Sequence, residues 1–216
     1  LSRLTSASTT RATQNYIRTY TYNALGNMTP ASDLGTYVYA GTNYANPHAV
    51  TGIGNGSATT TYAYSNNGNL LSKGSWSYSW DYRNRLTQTG NGTATSTYKY
   101  DQENMRVALT DATSTTHFPD QFFSKSGATT TIHMFVGNEL VATREGNGTA
   151  TSTYYVHTDH LSSTNVRSDG SGDMVQVLDY YPFGSKRISS GQDISSREFI
   201  GQIEDSESSM NYLNAR

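Results

Sequence analysis

The stretch GNGTATSTY occupies residues 90–98, and the same nine residues recur at 146–154. A near copy, GNGSATTTY, occupies residues 54–62. Asn-Gly is a strong signal for a two-residue hairpin turn, because both residues tolerate a positive φ. The Thr/Ser run that follows alternates between the two faces of a strand and ends on Tyr. The repeated stretch therefore predicts a turn followed by a strand, used three times along the chain.

A second repeated signature is a pair of aromatic residues separated by one position. Residues i and i+2 of a strand lie on the same face of a sheet, so each pair places two rings on one side. Stacked hairpins would bring these rings together as cross-strand neighbours, and each cross-strand pair contributes roughly 0.2–1 kcal/mol. The pairs are Tyr20/Tyr22, Tyr37/Tyr39, Tyr62/Tyr64, Tyr78/Trp80 and Tyr98/Tyr100.

A turn motif follows the aromatic pairs. Its first residue is Asn, Ser or Asp, whose side chain can accept a hydrogen bond from the backbone that follows. Its fourth residue is Gly or Asn, which accept the left-handed conformation that closes a turn-plus-bulge hairpin. We therefore predict a positive φ at Gly26 and Gly68. The copies are NALGNM at 23–28, SNNGNL at 65–70, DYRNRL at 81–86 and DQENMR at 101–106, with a degenerate member starting at Ala40.

The starts of these turns are 16 to 25 residues apart. A strand-turn-strand unit of that size cannot bury its own face, so it must stack on its neighbours. The segment SRLTSA at 2–7 parallels NRLTQT at 84–89, which predicts that the chain enters on the returning strand of a hairpin. We expect strand edges at both ends to expose unpaired backbone groups. Helical periodicity is nearly absent, and only DSESSMNYLNAR at 205–216 is compatible with a helical turn.

The composition indicates an all-β chain with thin, aromatic apolar faces. Hydrophobic residues make up 34% and charged residues 15%, and there are 17 Tyr. Thr and Tyr suit a pleated, half-exposed surface. The formal net charge of −2 gives no electrostatic reason to expect nucleic acid or an anionic membrane surface. With no cysteine there is no disulfide or thiolate metal site, and no apolar run has the length of a membrane span.

Two acidic stretches suggest metal binding, and for both a structural role is the stronger interpretation. His157, Asp159 and His160 stand close together, and His157 and Asp159 would share a strand face. No third ligand is placed by the sequence. Asp169 and Asp173 in DGSGD lack the ligand spacing and the downstream Glu of an EF-hand, so a hairpin tip is predicted there.

Two further groups of residues could carry chemistry. Glu204, Asp205 and Glu207 could form a paired-carboxylate site of the glycosidase kind, but we interpret them as a solvated turn. Four Asn-x-Ser/Thr sequons could accept a glycan if the source glycosylates, and we expect the three on hairpin turns to be exposed. They start at Asn27, Asn55, Asn91 and Asn147. We assign no catalytic, cofactor-binding or metal residue, and predict that the chain is not an enzyme and needs no cofactor.

The Tyr-x-Tyr-(Asp/Asn)-x-x-Gly-Asn/Arg-Leu unit resembles the YD repeat of bacterial Rhs proteins, wall-associated proteins, insecticidal toxin-complex C subunits and animal teneurins. Residues 154–185 and 199–216 resemble the Rhs repeat-associated core, with its His-Leu-x-Ser-Thr, Tyr-x-Pro-Phe-Gly, Gly-Gln-x-x-Asp and Asn-Ala-Arg elements. The resemblance covers nearly the whole chain. It implies a YD-repeat array of antiparallel β-hairpins over residues 1–153. A core segment over residues 154–216 would continue the same sheet.

What the resemblance implies for function is a sheet that spirals into a hollow β-shell. The chain would be a structural segment of a secreted or surface bacterial protein whose shell encloses a C-terminal toxin or cargo polypeptide. The alternative is an extracellular assembly or adhesion protein whose open strand edges join copies into oligomers or filaments.

A third interpretation is a self-cleaving protease segment. The sequence departs from related cores in ways that weaken it. The Asp that often precedes Pro-Phe-Gly in those cores is Tyr181 here, with Asp179 two residues earlier. The self-cleaving aspartates of the family would lie beyond Arg216. We therefore expect Asp179 not to be catalytic.

Overall fold

The computed structural model describes residues 2–10, 15–39, 46–55 and 59–213. It divides into two compact units, Leu1–Asn84 and Arg85–Arg216. Three features named in the sequence fall wholly or partly outside the described residues: the degenerate turn at Ala40, the turn of the 54–62 copy, and the final Asn-Ala-Arg. Within the described residues no helix is long and apolar enough to cross a membrane.

The first unit is an antiparallel meander, in which each strand pairs with the next one along the chain. Its strands are short and most have one exposed face, as the alternating Thr and Tyr residues predict. The strands are β1 (Ser6–Thr9), β2 (Tyr16–Tyr22), β3 (Met28–Ala31), β4 (Gly35–Val38), β5 (Gly52–Gly54), β6 (Thr59–Tyr64), β7 (Leu70–Lys73) and β8 (Trp76–Trp80).

The second unit continues the same pattern over longer strands, again with each strand antiparallel to the next from β9 to β19. The strands are β9 (Leu86–Gly90), β10 (Thr95–Tyr100), β11 (Arg106–Thr110), β12 (Thr115–Asp120), β13 (Phe123–Ser126), β14 (Thr129–Val136), β15 (Glu139–Gly146), β16 (Thr151–Thr158), β17 (Thr164–Ser168), β18 (Met174–Tyr180) and β19 (Lys186–Gly191). The prediction of an all-β fold of antiparallel hairpins is confirmed.

The end of the chain forms a separate small hairpin. A single 3₁₀ turn, Phe199–Gly201, precedes β20 (Ile203–Asp205), which pairs with β21 (Met210–Tyr212). The helical turn considered for residues 205–216 is present as a single turn between the two strands, and it is not continued into a helix. One helix-like bond, from the Ser209 N–H to the Asp205 carbonyl at 2.8 Å, closes the hairpin instead of starting a helix. The pairing of β20 with β21 satisfies the backbone groups on either side.

The turn motif has the predicted geometry in every described copy. Residue four has a positive φ: 89° at Gly26, 81° at Gly68, 59° at Asn84 and 69° at Asn104. In each case the first side chain accepts backbone N–H bonds, as Asp101 Oδ1 does from Glu103 and Met105 at 2.8 and 2.9 Å. A register shift at the end of the preceding strand supplies the bulge in most copies, as between Lys99 and Tyr100. Three more turns of this kind start at Asp159, Asp169 and Tyr181. The hairpin tip at Asp169 was predicted, and the other two were not identified from the sequence.

The Asn-Gly loops differ from the prediction. The register pairs Gly90 with Thr95, so four residues rather than two connect β9 to β10. Asn91 Oδ1 accepts three bonds, from the Thr93 N–H, the Thr93 hydroxyl and the Ala94 N–H, at 2.8 to 3.1 Å. The copy at Asn147 has the same bonds. Capping by the Asn side chain stabilises this four-residue loop, and of the Asn-Gly pair only the Gly has a positive φ.

The aromatic pairs lie on one face of their strands, as predicted, with an exposed residue between the two rings. The second ring of each pair also has a role that the sequence did not reveal. It donates a hydrogen bond to the backbone carbonyl at the entrance of the same hairpin, which closes the hairpin at its open end. We call this bond the aromatic latch. The latches run from Tyr22 to Leu4, Tyr39 to Met28, Tyr64 to Val50, Trp80 to Leu70 and Tyr100 to Leu86, over 2.7 to 2.9 Å.

Candidate functional site

The most distinctive arrangement in the second unit is the C-terminal segment, residues 192–213, packed on one face of the sheet. The carbonyls of Arg197 and Glu198 accept bonds from the Thr164 hydroxyl at 3.1 Å and the Thr164 N–H at 3.0 Å. The Ile200 N–H donates to the Ser163 hydroxyl at 3.1 Å. Ser163 and Thr164, at the start of the short strand β17, are both buried, so this end of β17 binds the segment.

Arg167 on β17 lies beneath the segment and has no exposed surface. Its guanidinium donates to Gln176 Oε1 on β18 and to the carbonyls of Ser195 and Arg197, the last two at 3.1 and 2.7 Å. Burial lowers the pKa of Arg167, and the neighbouring Glu198 opposes that shift. A buried charge is costly unless it is hydrogen-bonded, and here two of its acceptors are backbone carbonyls of the segment. Arg167 therefore ties the segment to the sheet.

Arg106 and Asp205 form a second tie, 99 residues apart in sequence. Arg106 Nη1 lies 2.8 Å from both oxygens of Asp205, and the Tyr212 ring packs 4.3 Å from the guanidinium carbon. The Arg106 N–H donates to the Tyr212 hydroxyl at 2.9 Å. Burial raises the pKa of Asp205, although the adjacent guanidinium favours the ionised form. Asp205 is only 4% exposed, so the interpretation of this acidic group as a solvated turn is wrong for this residue.

Lys186 on β19 bridges two carboxylates of the segment. Its Nζ lies 2.6 Å from Glu198 and 2.8 Å from Glu204. The pKa of Glu198 is raised to about 7, mainly by burial and then by a hydrogen bond with Glu204, while Lys186 opposes the shift. Burial alone would lower the pKa of Lys186, but its bonds to the two carboxylates raise it overall. We call Lys186, Glu198 and Glu204 the clasp. Its net charge changes near neutral pH because Glu198 titrates there.

The turn at 181–185 provides a seat for an aromatic ring of the segment. Gly184 has a φ of 91°, and a Cβ at this position would stand 2.7 Å from the Phe199 ring. The Phe199 ring also contacts the Tyr180 ring, with centroids 5.4 Å apart. Glycine is therefore required here twice, for its backbone angle and for the close approach of the ring.

A cavity of about 520 Å³ lies between the C-terminal segment and the sheet. Hydroxyl side chains from β12, β13 and β14 form one wall, and acidic side chains form much of the rest. His133 on β14 also lines it, is 7% exposed, and has no hydrogen-bond partner for its Nδ1. Burial lowers the pKa of His133 to about 3, helped by the charges of Arg197 and Arg167, so this ring is neutral.

The predicted candidates for metal binding have structural roles. Asp159 is not on the strand face of His157, because β16 ends at Thr158 and Asp159 starts a turn. Its Oδ1 accepts the N–H groups of Leu161 and Ser163 at 2.8 and 2.9 Å. His157 Nε2 is bonded to the Ser168 hydroxyl at 3.0 Å, and His160 is exposed. Among the described residues, no three His, Asp or Glu side chains are grouped so that they could hold a metal ion.

Asp169 lies in a hairpin turn, as predicted. It caps the turn between β17 and β18 by accepting the N–H groups of Ser171 and Asp173. Asp179 on β18 is paired with Arg187 on β19. Glu204 pairs with Lys186 and Asp205 pairs with Arg106, so the two carboxylates do not point at one shared position. That Asp179, Glu204, Asp205 and Glu207 are not catalytic stays a prediction.

The sequons differ in accessibility. Asn27 is buried, and its Nδ2 donates to the Pro47 carbonyl at 2.6 Å, so this amide is already engaged. Asn91 is half-buried and Asn147 exposed, and both cap the four-residue loops described above. Asn55 is described, but the Gly56 and Ser57 of its sequon are not.

Sequence reasoning missed the buried charged residues Arg106, Arg167 and Glu198. One signal for Arg106 was present: the last position of the turn motif is Met or Leu in the other copies and Arg in DQENMR. A charge at a position that is otherwise apolar implies a distant partner. No comparable signal marks Arg167 or Glu198, because their partners are backbone carbonyls and a lysine of a neighbouring strand.

Neither a comparison with protein-family models nor one with curated proteins gives a match. Solved structures do match. A chain of a TcdB2-TccC3 crystal structure is similar over 94% of this chain and 12% of its own length, at 15% identity and a TM-score of 0.67. A TcdB2-TccC3-Cdc42 structure matches 91% of this chain and 13% of its own, at 13% identity and a TM-score of 0.61. A TcdB2-TccC3 structure without its hypervariable C-terminal region matches 93% of this chain and 14% of its own, at 14% identity and a TM-score of 0.59.

The likeness is one of fold. This chain has the fold of a stretch of a toxin-complex chain, and it spans about an eighth of the length of the chains that it matches. The match extends over nearly all of the chain, so both units have counterparts there. The division of the chain at residue 154 stays a prediction; that residue lies within β16, and strand pairing continues through it.

Proposed function

We propose that this chain is a non-enzymatic structural segment of a secreted or surface Rhs/YD-repeat protein. In this proposal its curved antiparallel sheet forms part of the wall of a hollow shell around a C-terminal toxin or cargo polypeptide. The observation that carries the proposal is the match to TcdB2-TccC3 over 94% of the chain. The repeated hairpin supports it, because such units must stack on neighbours to bury their faces.

The polar network of the second unit supports a wall rather than a catalytic centre. The carboxylates of Asp159 and Asp169 cap turns, and those of Asp179 and Asp205 are paired with arginines of the same unit. Each of these groups contributes to holding strands and segment together. A wall that must keep a polypeptide inside benefits from such ties, because local opening of a sheet is suppressed where its elements share buried bonds.

The test uses the native protein that contains this chain. Electron microscopy of the purified protein should show a hollow particle with polypeptide density inside, and the cargo should resist added protease. An Arg106→Met change should weaken the wall and expose the cargo to cleavage. Arg144→Met, at an exposed arginine of β15, should leave protection unchanged. Particles without enclosed density, or a cargo cleaved as fast in the parent protein as in the Arg106 variant, would overturn the proposal.

The non-enzymatic part has its own test. The 216-residue chain, incubated from acidic to neutral pH, should remain a single band on a denaturing gel. A discrete product that disappears in an Asp179→Asn variant would establish self-cleavage. Light scattering that shows concentration-dependent filaments of the native protein would favour the assembly alternative instead.

A further inference from the structure

Two carboxylates that line the cavity beneath the C-terminal segment are not held by an ion pair among the described residues. Glu145, near the end of β15, is half-buried, and Asp193, near the start of the segment, is exposed; both line the cavity. Neither has an ion pair or side-chain hydrogen bond within the described part of the chain. Burial raises the pKa of Glu145, the charge of Arg167 lowers it, and the charge of Asp193 raises it by a smaller effect. The charge of Arg167 acts on both carboxylates, but its hydrogen bonds go to Gln176 and backbone carbonyls. The oxygens of Glu145 and Asp193 are therefore left to accept bonds from a further donor.

The rest of the cavity adds acceptors and negative charge. His133 is neutral and more than nine-tenths buried, and its Nδ1 lacks a partner. The charged residues that line the cavity are five acids, which include Asp111, and one base, Lys186, which is already held by two of the acids. Asp111 caps its own turn. The cations near His133, Arg167 and Arg197, direct their bonds to backbone carbonyls and Gln176. Arg167 acts on Glu145 and Asp193 through its charge, but neither arginine forms an ion pair with them in the described part of the chain.

We propose that this cavity is a binding site for a guanidinium group, presented by an arginine side chain of a polypeptide. A guanidinium is planar and carries five N–H donors, so it can serve carboxylates and a neutral imidazole on different sides at once. The acceptors stand on three separate segments, which suits such a forked donor better than a point charge. The cavity, about 520 Å³, is large enough for a whole side chain with part of its backbone.

The walls agree with this ligand. Serine and threonine hydroxyls, among them Ser124, Ser126 and Thr131, can accept bonds from the remaining N–H groups and the peptide backbone. A bare metal ion is a poorer fit, since no three acidic or His side chains among the described residues are grouped as ligands. The inference stands independently of the shell proposal, because it concerns the local chemistry of this chain.

The experiment titrates the isolated chain, at low ionic strength and pH 7.5, with N-acetyl-arginine amide. Three other probes separate the sources of binding: the citrulline analogue, which has the same shape without the charge, the lysine analogue, and guanidinium chloride. We expect the arginine amide to bind at least tenfold more tightly than each of them and to shift the imidazole NMR signals of His133. Equal affinity for the citrulline analogue would overturn the site. Equal affinity for guanidinium chloride would overturn the polypeptide source.

Variants locate the binding. Glu145→Gln combined with Asp193→Asn should reduce the affinity for the arginine amide at least tenfold. The matched control is Glu103→Gln with Asp173→Asn, which removes the same charge from two exposed turns and should leave the affinity unchanged. The first double variant should keep the far-ultraviolet circular dichroism spectrum of the parent chain, which separates lost binding from lost folding. If both double variants bind as the parent does, the cavity is not the site.

Discussion

The turn at 65–70 in the first unit and the turn at 181–185 in the second have nearly the same backbone and different surroundings. Gly68 and Gly184 have φ values of 81° and 91°. A side chain added at Gly68 would meet nothing within 4 Å, whereas one added at Gly184 would meet the Phe199 ring. The same type of turn therefore only connects two strands at 65–70, whereas at 181–185 it also packs against the C-terminal segment.

The same difference holds for what stabilises the two regions. In the first unit the aromatic latches join residues that lie 10 to 18 positions apart. In the second unit the tie between Arg106 and Asp205 joins residues 99 positions apart, and both partners are buried. The hairpins therefore form from neighbouring sequence, while the C-terminal segment is held by buried charges whose partners are remote.

The strongest way to break this comparison is to remove one partner of the buried ion pair. Arg106→Met should lower the free energy of unfolding of the second unit by about 3–5 kcal/mol, because it leaves Asp205 buried and uncompensated. Far-ultraviolet circular dichroism in urea measures this. Arg144→Met should change the free energy by less than about 0.5 kcal/mol. A double change, Arg106→Met with Asp205→Leu, should recover most of the loss; no recovery would mean that Arg106 acts through other contacts.

The two glycines sharpen the comparison. Ala at Gly68 should cost about 1 kcal/mol, from its left-handed backbone alone. Ala at Gly184 should cost about 1–2 kcal/mol more, because the added methyl group displaces Phe199. At Gly68, Asn should be tolerated better than Val by about 1 kcal/mol. Thermal melts check both sets, and equal losses at the two glycines would remove the role of Gly184 as a seat.

The clasp at Lys186 should make the second unit sensitive to pH. The folded chain holds a proton on Glu198 up to a pKa of about 7, whereas an unfolded Glu releases it near 4.5. The unfolded state thus binds fewer protons between these values, so stability should fall as pH rises from 4.5 to 7. Relative to Glu198→Gln, the parent chain should lose roughly 1–2 kcal/mol over that window. Urea titrations of both proteins at several pH values measure it, and parallel curves would contradict the assignment.

The latch should show the smallest effect. Tyr64→Phe removes one hydroxyl that donates to the Val50 carbonyl at 2.9 Å and should cost about 1 kcal/mol. Both Trp residues, Trp76 and Trp80, are in the first unit, so Trp fluorescence reports its unfolding there. Tyr82→Phe is the control, because that ring is 89% exposed and should give no change. A loss as large at Tyr82 as at Tyr64 would show that the latch is not the cause.

Much of the fold was predictable because its signals are local. The period of two in the aromatic pairs, and Gly or Asn at the fourth turn position, each follow from backbone geometry within six residues. The prediction was wrong where a side chain decided the outcome, as in the loops at Asn91 and Asn147, where three bonds to the Asn oxygen favour four residues over two. The placement of Asp159 on a strand was also wrong, because its side chain caps a turn and the sequence analysis did not recognise that role.

The sequence by itself determined the hairpins, their turns and the faces of their rings, because these depend on contacts between near neighbours. Only the tertiary structure decided that Arg106 meets Asp205, that Arg167 bonds the carbonyls of the C-terminal segment, and that Glu145 and Asp193 line one cavity. A buried charge can be compensated by any partner that the chain brings near, and the spacing along the chain does not specify which one. Compensation of buried charge is therefore a property of the folded chain rather than of any stretch within it.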